Sequence, residues 1–227
     1  MDNLVFRDIR TKDADGPPQL RLVGDFDTLY KKNIDPWGQS GVDDSPMSRY
    51  YDHSRARLIT ALRRTGFTHT SCGLEVGCGH GHVTSLLSTA LGLGGSCWFG
   101  LDISPTAVKH AASLYNELLF FAGDILEAKT LPYRLFDAVV LNQMWWYVMH
   151  QHEQLLHNAH SLLERNGLLV ISQAFLEEQN YGREIADGFS GMLKCLMAPG
   201  FDLIYVQYDD TGRFIHHDGV AVFRKKS

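Results

Sequence analysis

A chain of 227 residues with 44% hydrophobic content can bury one sizeable core, which argues for one globular unit with a small appendage and against two full domains. A net charge of -5 with no long basic tract excludes a nucleic acid as the default partner. No apolar run reaches the length of a bilayer crossing, the opening MDNLVFRDIR lacks a signal-peptide pattern, and Cys72, Cys78, Cys97 and Cys195 form no C-x-x-C pair, so a reduced, cytoplasmic protein without a membrane partner is expected.

Residues 1–70 read as an N-terminal appendage or lid, and residues 71–227 as the main domain. TKDADGPPQ opposes helix and strand through Asp-Gly and paired prolines, and is expected as a loop. DFDTLYKKNIDPWGQSGVDDSP holds one short helix, then turns at Asp35-Pro36 and Gly38. Over Pro46 to Arg64, Met47, Tyr50, Tyr51, Leu58, Ala61 and Leu62 recur at helical spacing, with Ser45 as cap and Gly66 as stop.

From Cys72 onward strand and helix signals alternate. CGLEV is a first strand, and HVTSLLSTAL a helix with Val83, Leu86, Leu87, Ala90 and Leu91 on one face, ending at Gly92. CWFGLD is a second strand, followed by a helix that Ser104 caps and Pro105 begins. LLFFAGD and FDAVVLN are third and fourth strands, QHEQLLHNAHSLLERNG a helix, and LLVISQ a fifth strand. The C-terminal stretch from Phe201 reads as two strands joined by Asp-Thr-Gly. Strands this continuously apolar are covered on both faces, so the fold class is α/β, a doubly wound, mainly parallel sheet between helix layers.

LEVGCGHG puts Gly77, Gly79 and Gly81 at the carboxyl end of the first strand, where such sheets bind small ligands. Bare backbone lets a ligand pass over the turn, and the helix behind it offers free N–H groups. A dinucleotide loop would need a third glycine where His82 stands, which counts against a nicotinamide oxidoreductase. Glu75, just before the loop, is expected at the mouth of the site, repelling a pyrophosphate and attracting an ammonium group. Asp102 ends the second strand, the position from which an acid binds a ribose diol. A ribose, a cation and no phosphate together describe S-adenosylmethionine.

LEVGCGHG, GLDISPTAV, AGDI, FDAVVLNQMWWYV and LLERNGLLVIS occur in the order and spacing of the class I S-adenosylmethionine-dependent methyltransferases, which the chain resembles from Leu74 to its C-terminus. The resemblance implies a seven-stranded Rossmann-like sheet in the order 3-2-1-4-5-7-6, its last strand antiparallel. It implies that Glu75, Gly77, Cys78, Gly79 and Gly81 line the methionine part, that Asp102 binds the ribose, and that Ile103, Gly123, Asp124 and Ile125 border the adenine. Asn142 and Gln143 then start the substrate loop. A narrower resemblance, carried by YKKNIDPWGQSG and YYDHSRARLITAL, is to the NodS-like small-molecule N-methyltransferases, although the acid of their fourth-strand motif is missing from Gln143-Met144-Trp145-Trp146-Tyr147.

The expected reaction is methyl transfer to a nitrogen or oxygen of a small natural-product or metabolite acceptor, with S-adenosylhomocysteine as the product. Trp145, Trp146 and Tyr147 are expected to wall the acceptor pocket, with Tyr30, Arg49, Tyr50 and His53 joining from the lid and Trp37 closing over the cofactor. A hydroxyl acceptor calls for a positioned base, and His150 is the candidate. Alternatives are an O-methyltransferase for an anionic intermediate, with Arg49 or Arg55 as the partner of the anion, and a non-catalytic protein that binds the cofactor. No metal is expected, because His157 and His160 read as solvated and His216-His217 as strand surface. The chain is expected as a monomer or homodimer.

Overall fold

The computed structural model describes residues 3–8, 20–40, 46–91, 97–211 and 216–226. The cap expected at Ser45, the stop at Gly92, the loop over residues 11–19 and Gly212 of the C-terminal turn lie outside these residues.

The chain opens with an antiparallel pair, β1 (Phe6–Asp8) and β2 (Leu20–Leu22), followed by α1 (Phe26–Lys32) and α2 (Pro46–Arg64). The pair was not expected from sequence, since three-residue strands leave no usable periodicity. Beyond it come β3 (Gly73–Val76), α3 (His82–Ala90), β4 (Trp98–Asp102), α4 (Pro105–Leu114), β5 (Leu119–Ala122), β6 (Phe136–Asn142) and α5 (Trp145–Val148). Helix α6 (His152–Leu162), β7 (Leu163–Leu176), α7 (Gly188–Leu196), β8 (Phe201–Asp209) and β9 (His216–Lys225) complete the chain. The sheet runs β5-β4-β3-β6-β7-β9-β8, parallel except for β9, which lies antiparallel to both neighbours. This is the order 3-2-1-4-5-7-6 expected for a doubly wound sheet of the Rossmann-like methyltransferase type.

The pleat divides each apolar strand between two cores. Val139, Leu141, Leu169, Ile171, Ala221 and Phe223 face α6 and α7. Ala138, Val140, Leu168, Val170, Val220 and Val222 face α2 and α3. Adjacent residues thus bury on opposite faces, as a sheet covered on both sides requires. Helix α2 contributes Leu58, Ala61 and Leu62 to that second core. Helix α2 thus packs in the sheet's helix layer, whereas Val5, Phe6 and Leu29 of the first elements gather in a separate small cluster.

The helix expected over residues 151–167 is shorter. It stops at Leu162, because Leu163 already pairs with Phe136 of β6 and Asn166 adopts a φ of +62°. Lys225 Nζ donates to the carbonyls of His160 (2.9 Å) and Leu163 (2.7 Å), meeting acceptors the helix end leaves over.

Candidate functional site

One cavity of about 500 Å³ opens above the carboxyl ends of β3, β4 and β6 and runs from the glycine loop to a wall of aromatic side chains. That volume lies within the range of small-ligand sites.

The loop after β3 is pinned from below, with the N–H groups of Gly77 and Cys78 both donating to Leu101 O, at 2.7 and 3.0 Å. Gly77 and Gly79 have φ of +72° and +53°, and a Cβ on Gly79 would stand 2.7 Å from the Tyr30 hydroxyl. Glycine is required there by conformation and by crowding alike. Asp102 is buried at the end of β4, with Oδ2 accepting from Gly79 N (2.8 Å) and Oδ1 from Ser104 N (2.9 Å). Burial pushes its carboxyl up, and the two N–H donors oppose that shift. A carboxylate offers about four lone-pair sites, so two remain for a diol. These features fit a ligand carrying a ribose.

The appendage is fastened to this corner through Asp27. Its Oδ1 accepts from Ser104 Oγ (2.8 Å) and Thr106 N (3.0 Å), so it adds an acceptor at the start of α4, while Ser104 Oγ caps Ala107 N (3.1 Å). The Lys31 ammonium and these donors hold Asp27 well below the usual carboxylate range. Tyr30 consequently reaches the glycine loop, and Trp37 Nε1 donates to its hydroxyl at 3.1 Å. Tyr51 in turn donates to Trp37 O at 3.0 Å. Opposite, Gly123, Asp124 and Ile125 line the cavity beside half-exposed Ile103, and Asn158 Nδ2 from α6 fixes the Ile125 carbonyl at 2.7 Å.

At the far end Trp146 and Tyr147 line the cavity with Phe6, Phe26 and Tyr181. Their rings meet edge to face, Phe6 on Tyr181 at 4.7 Å and Phe26 on Tyr147 at 5.0 Å. Asn142 and Gln143 lie between the two halves. Gln143 has a φ of +59°, and its amide joins a buried network. Its Oε1 accepts from Ala174 N (2.8 Å), and its Nε2 donates to Tyr50 Oη (3.2 Å) and Ser54 Oγ (3.3 Å). Tyr50 donates to Asp218 Oδ1 (3.2 Å), and Asp218 is paired with buried Arg57.

The cavity thus gathers Tyr30, Trp37, Tyr50, Gly77, Gly79, Asp102, Ile103, Gly123, Asp124, Ile125, Asn142, Gln143, Trp146 and Tyr147. Seven sequence candidates do not line it. Glu75 is buried behind the loop, where its carboxyl accepts from Thr84 Oγ1, and burial raises its pKa to about 8. It is not at the mouth. Cys78 faces the protein interior, and a Cβ on Gly81 would meet Phe120 at 2.7 Å on the side of α4. Arg49 is exposed, and His53 contacts Arg57 (2.8 Å) and Asp209 (3.2 Å) near β8. Trp145 is fully buried in the core below α5. His150 is exposed, its Nε2 lying 2.9 Å from the Tyr181 hydroxyl on the outer side of that ring.

Sequence reasoning missed Phe6, Tyr181 and Gln173, which carry no motif, and misread His216. Read as strand surface, His216 lines the cavity with its ring 5.2 Å from that of Tyr50. Its place two residues before the buried Asp218 was the available signal, since i and i+2 share a strand face. Among the described residues no three His, Cys, Asp or Glu are arranged to hold a metal ion, and no helix is long and apolar enough to cross a membrane.

Residues 74–171, from β3 into β7, match the family described as a methyltransferase domain. Among solved structures, the chain is similar to the N-methyltransferase NodS from Bradyrhizobium japonicum WM9 in complex with S-adenosyl-L-homocysteine. That pair is 22% identical over 88% of this chain and 98% of the other, with a TM-score of 0.66. Magnesium protoporphyrin IX methyltransferase (ChlM) from Synechocystis PCC 6803 with bound SAM is 16% identical over 88% and 93%, also at 0.66. A TehB-like SAM-dependent methyltransferase from Corynebacterium glutamicum is 22% identical over 88% and 98%, at 0.60. At these identities the likeness establishes the fold. No curated protein matches the chain.

Proposed function

We propose that this chain is a class I S-adenosylmethionine-dependent methyltransferase and that it methylates a nitrogen or oxygen of a small molecule held in the same cavity. The observation that carries this reading is the continuity of the cavity from the glycine loop and Asp102 to the aromatic wall. NodS and ChlM, the one an N-methyltransferase and the other acting on magnesium protoporphyrin IX, are in keeping with a small acceptor.

The cofactor supplies a methyl group on a positively charged sulfur. Asp102 receives the ribose hydroxyls, the bare backbone at Gly77 and Gly79 admits the methionine part, and Ile103, Asp124 and Ile125 flank the adenine. Trp37 and Tyr30 close the corner over the glycine loop, and Trp146 and Tyr147 hold the acceptor. Fixing the two reactants in line is the main contribution of the protein to rate. With the cofactor bound, the aromatic wall of Trp146 and Tyr147 would favour the dispersal of positive charge that methyl transfer entails.

Calorimetric titration with S-adenosylmethionine, S-adenosylhomocysteine and NADH tests the reading, on wild type and Asp102→Ala. The first two are expected to bind wild type and to be lost or severely weakened in the variant. A folded wild-type protein that binds neither would overturn it.

A further inference from the structure

The acceptor half of the cavity is short of charge. Among the described residues lining the cavity there is no lysine or arginine, and its carboxylates, Asp102 and Asp124, stand on the cofactor side. Nearby cations are engaged elsewhere: Arg57 with Asp218 and Asp209, and Arg55 with the Gln39 carbonyl (2.9 Å) and the Tyr51 ring. Among the described lining residues, an anionic acceptor would find no guanidinium and a cationic one no carboxylate outside the cofactor side. Burying either charge unpaired costs far more than burying a neutral group.

Of the seven amides in the described lining, three are fully engaged within the protein. Gln143 is saturated by its network, Gln173 accepts from Trp145 N (2.9 Å) and donates to Ala174 O (3.1 Å), and Gln179 donates to the carbonyls of Tyr181 and Ala186 while accepting from Gly188 N. The lining also presents the amides of Gln39, Asn142, Gln151 and Asn180, a set of flat rings that includes Phe6, Trp37, Trp146, Tyr147 and Tyr181, and one imidazole, His216. Burial pushes that imidazole below its ordinary range, against the pull of Asp218, so it carries a neutral nitrogen able to accept a hydrogen bond.

We propose that the acceptor is an uncharged, planar aromatic molecule bearing a hydroxyl group, and that His216 is the specificity residue that accepts the hydrogen bond of that hydroxyl. This inference rests on the methyltransferase reading and narrows it, disfavouring both the anionic acceptor and the cationic amine.

The test uses the full chain loaded with S-adenosylhomocysteine and four shape-matched probes, followed by quenching of tryptophan fluorescence: 2-naphthol, 2-naphthoate, 2-naphthylmethylammonium and naphthalene. Naphthol is expected to bind about tenfold or more tighter than either charged probe, and about three- to tenfold tighter than naphthalene. In His216→Phe the naphthol-to-naphthalene ratio should fall to about one while naphthalene affinity is kept, and His216→Asn, which retains an acceptor, should restore part of it. A purely structural role for His216 would weaken both probes together and leave the ratio intact. Equal or tighter binding of a charged probe, binding of no probe, or an unchanged ratio in His216→Phe overturns the proposal. Failure of S-adenosylhomocysteine to bind in the loading step is the separate signature of a failed methyltransferase reading.

Discussion

Replacing Glu75 by glutamine should stabilise the protein, and by more as pH rises. The carboxyl lies fully buried behind the glycine loop, and burial raises its pKa from the ordinary 4.5 to about 8, with the Thr84 hydroxyl and the Arg55 charge acting in the opposite direction. Below pH 4.5 the group is protonated in both folded and unfolded chains and contributes no pH-dependent term. Above that pH the unfolded chain ionises while the folded one stays neutral, so stability falls until the folded group ionises near pH 8. At about 1.4 kcal/mol per pH unit, the loss across this window approaches about 5 kcal/mol. Glutamine keeps an oxygen for Thr84 and removes the titration. Urea unfolding of both proteins at pH 5, 6.5 and 8 reads the difference directly, with slopes compared to confirm that the same surface unfolds. A difference that stays constant from pH 5 to pH 8 would mean that Glu75 is ionised in the folded protein, and would refute the reasoning.

Gly79→Ala should cost about 1–3 kcal/mol through its left-handed backbone and weaken S-adenosylhomocysteine binding, since its Cβ would meet the Tyr30 hydroxyl at 2.7 Å. Adding Tyr30→Phe should recover part of the affinity in calorimetry, because the crowding atom is gone. Asn158→Ala leaves the Ile125 carbonyl without its buried donor, and should cost about 1–3 kcal/mol in chemical denaturation while raising the cofactor KM more than it lowers kcat. Asp27→Ala releases the appendage from the start of α4, and trypsin should then cut at Lys31 and Lys32 several-fold faster while cleavage elsewhere is unchanged.

Sheet order and the cofactor half of the cavity were legible because local signals agreed with the global fold: glycines after an apolar strand, an acid at the end of the next, and helices capped by Ser104 or broken by turns. The acceptor half was not, for reasons of phase. Trp145, Trp146 and Tyr147 sit together in a four-residue helix, where a step of one residue turns a side chain from the core to the cavity, and no pattern that short fixes the rotation. Glu75 presents the same problem in β3, whose four residues are all buried, so alternation cannot tell an inward acid from one at the mouth. His150 follows the right strand and points past the right tyrosine, yet on its solvent side. Phe6 and Tyr181 were invisible because they reach the site only through tertiary packing.

The cluster joining the first elements of the chain to α5 and the segment after β7 also sets an order of assembly. Val5, Phe6 and Leu29 are synthesised first, but their partners Trp146, Tyr147 and Tyr181 emerge well over a hundred residues later. Closing so long a loop is costly before the intervening structure exists. The sheet and its glycine loop rest on shorter-range pairings between β3, β4 and β5. A nascent or refolding chain should therefore pass through a form that already holds the cofactor corner while its first thirty residues wait undocked, and the pocket for the acceptor is the last part of the molecule to come into being.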